Sequence, residues 1–448
     1  MSDLAANTQQ ALVDRCGQAV DRALAAGASG ASARVNRSRD ASWTYRDGKL
    51  ETVSGATSMG LSVNVYVDGR FGSHGTSDLR PESLDAFVRD AVALTRALQP
   101  DPDRQLPDPA LFPKEIPDLG VVDPDIASGA VLTRDWKLAR LVAMADAGKG
   151  TDARVISAES ELSDSYGTYA MVTSNGFQGA WESTDAWASC SVTVRDEGDR
   201  KPEDSDYCGG HFLADLLDPA LVGTRARELA LGRMGSKKGP TREGVMIVDP
   251  RAAGSIVSRL LSSANARSIQ QMQSFYAGKT GQKLFSDKLT ITDDPLAKGG
   301  LGSRPFDGEG IAARVLPIVE KGVVRNIYAD TYYARKAGLP VTTGGGSNRR
   351  LALGDKDLGA WCKDVKTAIY VTSWLGGNAD PTTGDFSFGL RGNLVENGTI
   401  GAPVGEMNIT GNLAGLFAQL AGVGNDPYKY GAIAAPTLVF DGVSFSGA

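Results

Sequence analysis

The side chains that could do chemistry in this chain are few and scattered. Only two histidines occur, His74 and His211, although histidine is the commonest metal ligand and general base near neutral pH. Cys208-Gly209-Gly210-His211, with Cys190 upstream, offers three nominal zinc ligands. Their spacing lacks the paired knuckles of a structural zinc site. Ser73-His74 could supply a nucleophile and a base, but no Gly-x-Ser-x-Gly elbow accompanies it, and a loop histidine beside a hairpin explains it as well. Gly278-Lys279-Thr280 ends like a phosphate-binding loop. The pattern requires an earlier glycine where Gln273 stands, so a surface turn is the stronger reading. Asp293, Asp294, Asp307 and Glu309 surround the stretch Arg304-Pro305-Phe306-Asp307-Gly308-Glu309-Gly310. They could act as an acid/base pair or bind a hard cation, or satisfy backbone donors in a tight turn, and the turn reading outweighs the others. Gly344-Gly345-Gly346-Ser347-Asn348 reads as a mobile connector that could approach a ligand closely, with Arg349-Arg350 as a solvated pair at a strand start or a carboxylate site.

These residues need a scaffold, and the local patterns predict a mixed one. Apolar residues at helical spacing run from Leu4 to Ala26, with Gly27 as the stop. Two Asp-Gly turns, Asp47-Gly48 and Asp68-Gly69, predict hairpins between Ser42–Arg46 and Leu50–Val53, and between Leu61–Val67 and Arg70–Ser73. Helices are expected over 81–98, 134–147 and 219–234. The stretch 155–195 reads as several strands broken at Asn175-Gly176. Gln99 to Asp125 carries seven prolines and reads as an extended connector.

The pattern breaks at Gly235-Ser236-Lys237-Lys238-Gly239-Pro240, where the main domain boundary is expected. The fold class is α+β. An N-terminal α+β domain with hairpin-built sheets and flanking helices (1–235) precedes a mostly antiparallel β domain with short helices (236–448). Second-half strands are expected at 245–248, 315–327 around Lys321-Gly322, 368–373, 386–395 and 437–440. Short helices are expected near 252–264, 330–336 and 413–420.

Composition narrows the function classes. Lys and Arg number 47 against 53 Asp and Glu, a net charge of −6, which argues against a broad nucleic-acid-binding face. No apolar run reaches the ~18 residues of a membrane span, and the N-terminus lacks the basic and apolar regions of a signal peptide. Cys16, Cys190, Cys208 and Cys362 form no CxxC pair and read as reduced thiols of a cytoplasmic protein.

The second half also carries an ordered series of motifs. Pro305-Phe306-Asp307-Gly308-Glu309-Gly310 is followed by Glu320-Lys321-Gly322-Val323-Val324, Asn348-Arg349-Arg350-Leu351 and Thr383-Gly384-Asp385-Phe386-Ser387. Val395-Glu396-Asn397-Gly398, Ile409-Thr410-Gly411-Asn412-Leu413 and Gly424-Asn425-Asp426 come after. In order and number they resemble the TldD/PmbA family. That resemblance implies two branches. The TldD-like branch holds zinc on a helix motif His-Glu-x-x-x-His, where two imidazoles and a further ligand leave an open position for water. The corresponding helix here is Arg251 to Ala266, and the motif positions fall near Ser258, Arg259 and Ser263. Arg259 would place a cation where the family has its catalytic carboxylate. Asn425-Asp426-Pro427-Tyr428 leads to Ala432-Ile433-Ala434-Ala435 with no cysteine ligand.

The chain therefore resembles the PmbA (TldE) branch, without catalytic or metal residues of its own. The resemblance implies a heterodimer with a TldD-like subunit that carries zinc and acts on unfolded or small peptides in the cytoplasm. Two alternatives are a self-associating homodimer that binds peptides without such a partner, and a modulator of DNA gyrase.

Overall fold

A computed structural model describes residues 8–448. Contacts divide them into two compact units. Of the described residues the first comprises 8–193, 204–228 and 303–313, and the second 194–203, 229–302 and 314–448, so the chain passes between units more than once.

The first unit begins with helix α1 (Gln9–Ala25), and the expected residues 4–7 lie outside the described residues. Thr8 caps it by accepting from the Ala11 amide at 3.2 Å, and Gly27 at φ +93° ends it where a side chain would be strained. Leu12, Cys16, Ala19, Val20 and Ala23 form its buried face. Strands β1 (Gly30–Arg46), β2 (Lys49–Val67) and β3 (Arg70–Thr76) follow as one meander. Both Asp-Gly turns have two positive φ values (Asp47 +46°, Gly48 +85°; Asp68 +51°, Gly69 +71°), as a type I′ turn requires. The two expected hairpins share β2. The stretch Ser54–Gly60, which lacks apolar alternation, is held by its pairing to β1, from Ser42↔Ser54 to Asn36↔Gly60.

Helices α2 (Pro81–Arg96), α3 (Pro124–Ser128) and α4 (Arg134–Lys149) precede the long strands β4 (Val155–Thr173) and β5 (Gln178–Val194). Strand β6 (Glu203–Gly210) and helix α5 (Pro219–Leu231) complete the series. The sheet order is β3-β2-β1-β4-β5-β6. Val35, Val63 and Val65 lie fully buried in one cluster with the α1 face, each worth ~2 kcal/mol of apolar transfer.

The second unit holds two sheets. Five short strands, β9 (Ile291–Asp293), β10 (Leu316–Glu320), β11 (Val323–Val324), β12 (Arg349–Leu351) and β17 (Ile433–Ala434), are ordered β11-β10-β9-β12-β17. The larger sheet is built from β7 (Lys237–Lys238), β8 (Arg242–Val248), β13 (Thr367–Ala379) and β14 (Asp385–Glu396). With them are β15 (Thr399–Asn412), β16 (Leu420–Val423) and β18 (Leu438–Ser446), in the order β16-β18-β8-β13-β14-β15-β7. Pairing is mostly antiparallel; β12–β17, β13–β8 and β15–β7 are parallel. Helices α6 (Pro250–Leu261), α7 (Ala266–Gln270), α8 (Thr331–Ala337), α9 (Leu358–Asp364) and α10 (Leu413–Ala418) are short, and the fold is α+β. Among the described residues no helix is long and apolar enough to cross a membrane.

Candidate functional site

The resemblance puts the family's metal motif on helix α6, so the local chemistry of that helix comes first. Asp249 caps the helix by accepting from the Arg251 amide at 2.7 Å, and Pro250 occupies its first turn. Ala252, Ala253, Ile256, Val257, Leu260 and Leu261 are buried and fix its rotation. The Tyr370 hydroxyl also donates to Asp249. Burial raises the Asp249 pKa above the ordinary carboxylate range, against the opposing pull of that hydrogen bond.

The helix stops at Leu261, short of the expected end near Ala264, because Ser262 and Asn265 turn the chain: the Asn265 side chain donates to the Ser262 carbonyl at 3.0 Å. Ser258 is exposed in the last turn, whereas Ser263 lies past the helix end and is wholly buried. These two positions do not share an environment. Arg259 between them lies over the Phe388 ring at 4.4 Å and donates to the Ser255 hydroxyl at 3.2 Å. Phe388 is itself stacked on Phe386 at 4.6 Å. Partial burial lowers the Arg259 pKa, but a guanidinium remains cationic across any physiological range.

Two hydroxyls in different surroundings and one cation are not a donor set for Zn²⁺, which takes imidazole, thiolate or carboxylate. The residues of this helix do not fit the ion that the family implies. Among the described residues no group of three or more His, Cys, Asp or Glu is placed to hold a metal.

The other candidates have local structural partners. His211 is buried, with Nδ1 2.7 Å from the Thr184 carbonyl. Cys190 lies against the Met144 carbonyl, and Cys208 accepts from the Leu217 amide at 3.2 Å. Burial pushes the Cys190 thiol up to about 12. His74 lies on β3 rather than in a loop; its Nε2 is 3.0 Å from the Thr95 hydroxyl, and burial lowers its pKa. Gly278-Lys279-Thr280 is a turn, with Gly278 at φ +69° and the Lys279 amide donating to the Tyr276 carbonyl at 3.0 Å.

Asp307 accepts from the Glu309 and Ile311 amides at 2.9 and 3.1 Å, closing the tight turn. Its neighbour Phe306 packs edge-on against Phe177 at 4.8 Å. The glycine-rich segment is not a mobile connector at its end. Ser347 and Asn348 are buried, and Asp293 accepts from both the Ser347 amide (2.9 Å) and hydroxyl (2.6 Å). Asn348 accepts from the Gly302 amide at 2.7 Å and donates to the Asp294 carbonyl at 2.9 Å. Asp293 and Asp294 therefore serve the loop, and Arg349 and Arg350 enter β12 from it.

One arrangement left no signal in the residue patterns. Around Arg391 the register of β14 shifts against both neighbours, between Val371 and Ser373 on β13 and between Leu390 and Gly392 toward β15. Such bulges re-aim side chains.

Comparison with known proteins agrees with the fold and the motif series. Models of the PmbA/TldA metallopeptidase match residues 31–95 (domain 1), 130–234 (central domain) and 241–447 (C-terminal domain). The metalloprotease PmbA of Escherichia coli O157:H7 is 30% identical, over 90% of this chain and 89% of its own. A PmbA homologue of Haemophilus influenzae is 28% identical, over 96% of this chain and 94% of its own. A crystal structure from Bacteroides thetaiotaomicron, described as a candidate modulator of DNA gyrase, superposes with a TM-score of 0.94 at 37% identity, covering 98% of this chain and all of that one. TldE from Thermococcus kodakarensis shares the fold, with a TM-score of 0.83 at 20% identity over 97% of this chain and 100% of that one. The chain belongs to the PmbA/TldD metallopeptidase family.

Proposed function

We propose that this protein is the non-catalytic, TldE-like subunit of a two-chain zinc metallopeptidase that acts on small or unfolded peptides. The observation that carries the reading is the donor set of α6. Ser258 is exposed, Arg259 lies over Phe388, and Ser263 is buried beyond the helix end, where the resemblance assigns two imidazoles and a carboxylate. The family's C-terminal domain, which contains that helix, is matched over residues 241–447, and this supports reading the difference at the helix as a change of local chemistry.

The division of labour follows from this. The partner would supply the ion, its bound water and the carboxylate that polarises it, while this chain would complete the peptide chamber and hold the partner in its active form. Such pairing between related chains uses corresponding surfaces on both, as a two-fold interface does. Co-expression with a TldD-like chain from the same genome, followed by affinity purification through a tag on this protein, tests the reading. The expected result is an equimolar complex that hydrolyses small peptides. Purification of this protein alone from cells containing the partner would refute it.

A further inference from the structure

We propose that the second unit carries a separate site for an acidic oligopeptide, in the cleft centred on Arg391. The cleft has a volume of about 580 Å³, within the roughly 300–1,000 Å³ range of ligand pockets. Its charge is lopsided. Arg200, Lys201, Arg233, Lys237, Lys238 and Arg391 line it, against only Asp196 and Glu406. Asp196 is already committed, paired with Arg200 at 2.9 Å and accepting from the Gly235 amide. An excess of four cations in one cleft of a chain whose net charge is −6 is a local feature, not a reflection of composition. Lys201, Lys237 and Lys238 are exposed, and none of the three has an ion pair among the described residues.

The simplest competing explanation is edge protection, since lysines on a short terminal strand discourage pairing with other chains. It suits Lys237 and Lys238, which form β7 at the sheet edge. It does not account for Arg391, which stands on β14, an interior strand between β13 and β15. There the sheet is deformed on both sides. Thr372 is passed over in the pairing with β13, and Gly405 and Glu406 are passed over in the pairing with β15. Glu406 is held at φ +50°, a conformation uncommon for a residue with a side chain. Gly392 comes so close to the neighbouring strand that a Cβ there would overlap the Tyr370 carbonyl oxygen. Thr372, Arg391 and Glu406, the residues at this double bulge, all line the cleft. The deformation brings a planar guanidinium, which can grip a carboxylate with two parallel hydrogen bonds, into an open cationic cleft.

The cleft suits carboxylates on a flexible chain better than a compact phosphate. Its cations come from three separate segments: 200–201, 233–238 and β14. Leu375 and Pro403 add apolar surface, and Ser236 and Asn393 add hydrogen-bonding groups, a mixture suited to a peptide. This site needs no zinc and no partner, so it goes beyond the pairing reading and is measured on the protein alone.

The test is fluorescence anisotropy with a labelled Asp/Glu octapeptide and its Asn/Gln counterpart, on the full-length protein at low salt. The acidic peptide should bind at least tenfold more tightly than the neutral one. The variant K201Q/K237Q/K238Q should weaken it tenfold or more with an unchanged melting temperature. R391K, which keeps the charge but removes the fork, should weaken it severalfold. A control triple of exposed lysines elsewhere, K114Q/K288Q/K298Q, should leave the affinity unchanged. Equal binding of the two peptides, wild-type affinity in K201Q/K237Q/K238Q, or equal loss in the control triple would overturn the proposal. Inorganic phosphate that displaces the peptide at lower concentration than a free acidic peptide does would overturn the peptide assignment.

Discussion

Asp249 does two jobs for α6, capping its first turn and accepting from the Tyr370 hydroxyl, and it does them while partly buried. Burial raises its folded-state pKa, Asp426 adds to the rise, and Arg251 and the Tyr370 hydrogen bond oppose it. A carboxylate whose pKa is higher in the folded than in the unfolded state stabilises the fold while it is protonated. Its contribution is complete below the ordinary aspartate value of about 4 and is lost as pH rises through the raised value. D249N keeps an oxygen for the Arg251 amide and removes the titration. Denaturant unfolding between pH 4 and 8 should therefore show a shallower loss of stability with rising pH in D249N than in the wild type; parallel curves would show that Asp249 does not titrate in this way. At this scale the sequence was legible for types but not for surroundings. The absence of histidine after His211 and the Asp307 turn could be read directly from residues and spacing. The burial of Ser263 could not, nor the clamp of Asp293 on Ser347 across 54 positions, because glycine-rich composition signals freedom and says nothing of a distant carboxylate.

Two kinds of glycine separate the elements by what holds them. Gly69 sits in the β2–β3 turn at φ +71°, and a side chain there would meet nothing within 4 Å. G69A should therefore cost only the backbone strain, about 1–2 kcal/mol. Gly392 faces the Tyr370 carbonyl oxygen so closely that G392A would force two strands apart at the bulge. Its cost should exceed about 4 kcal/mol, the range of gross packing failures. Chemical denaturation of the two variants checks the contrast, and a similar loss for both would mean that the bulge relaxes freely. The Asp-Gly turns were readable from sequence because the type I′ geometry demands those residues, and α1, α2 and α4 were readable from their apolar spacing. The seven-stranded order β16-β18-β8-β13-β14-β15-β7 was not, since it joins strands nearly 200 residues apart and local periodicity carries no information about partners. The double register shift at Arg391 was hidden for the same reason.

For the whole molecule, family membership and local chemistry point in opposite directions, and the proposed function reconciles them. All three domains of a metallopeptidase are present, yet the helix expected to carry the ion offers Ser258, Arg259 and Ser263. Histidine occurs only at positions 74 and 211, and each of those rings is already engaged, with Thr95 and Thr184. On the proposed function, this chain keeps the scaffold and a partner subunit supplies the chemistry. The most direct measurement is metal content, together with peptide hydrolysis, of the protein purified alone after exposure to zinc and removal of loosely bound ions. The account predicts well under one zinc per chain and no hydrolysis above background. One tightly held zinc per chain with turnover that a chelator abolishes would contradict it.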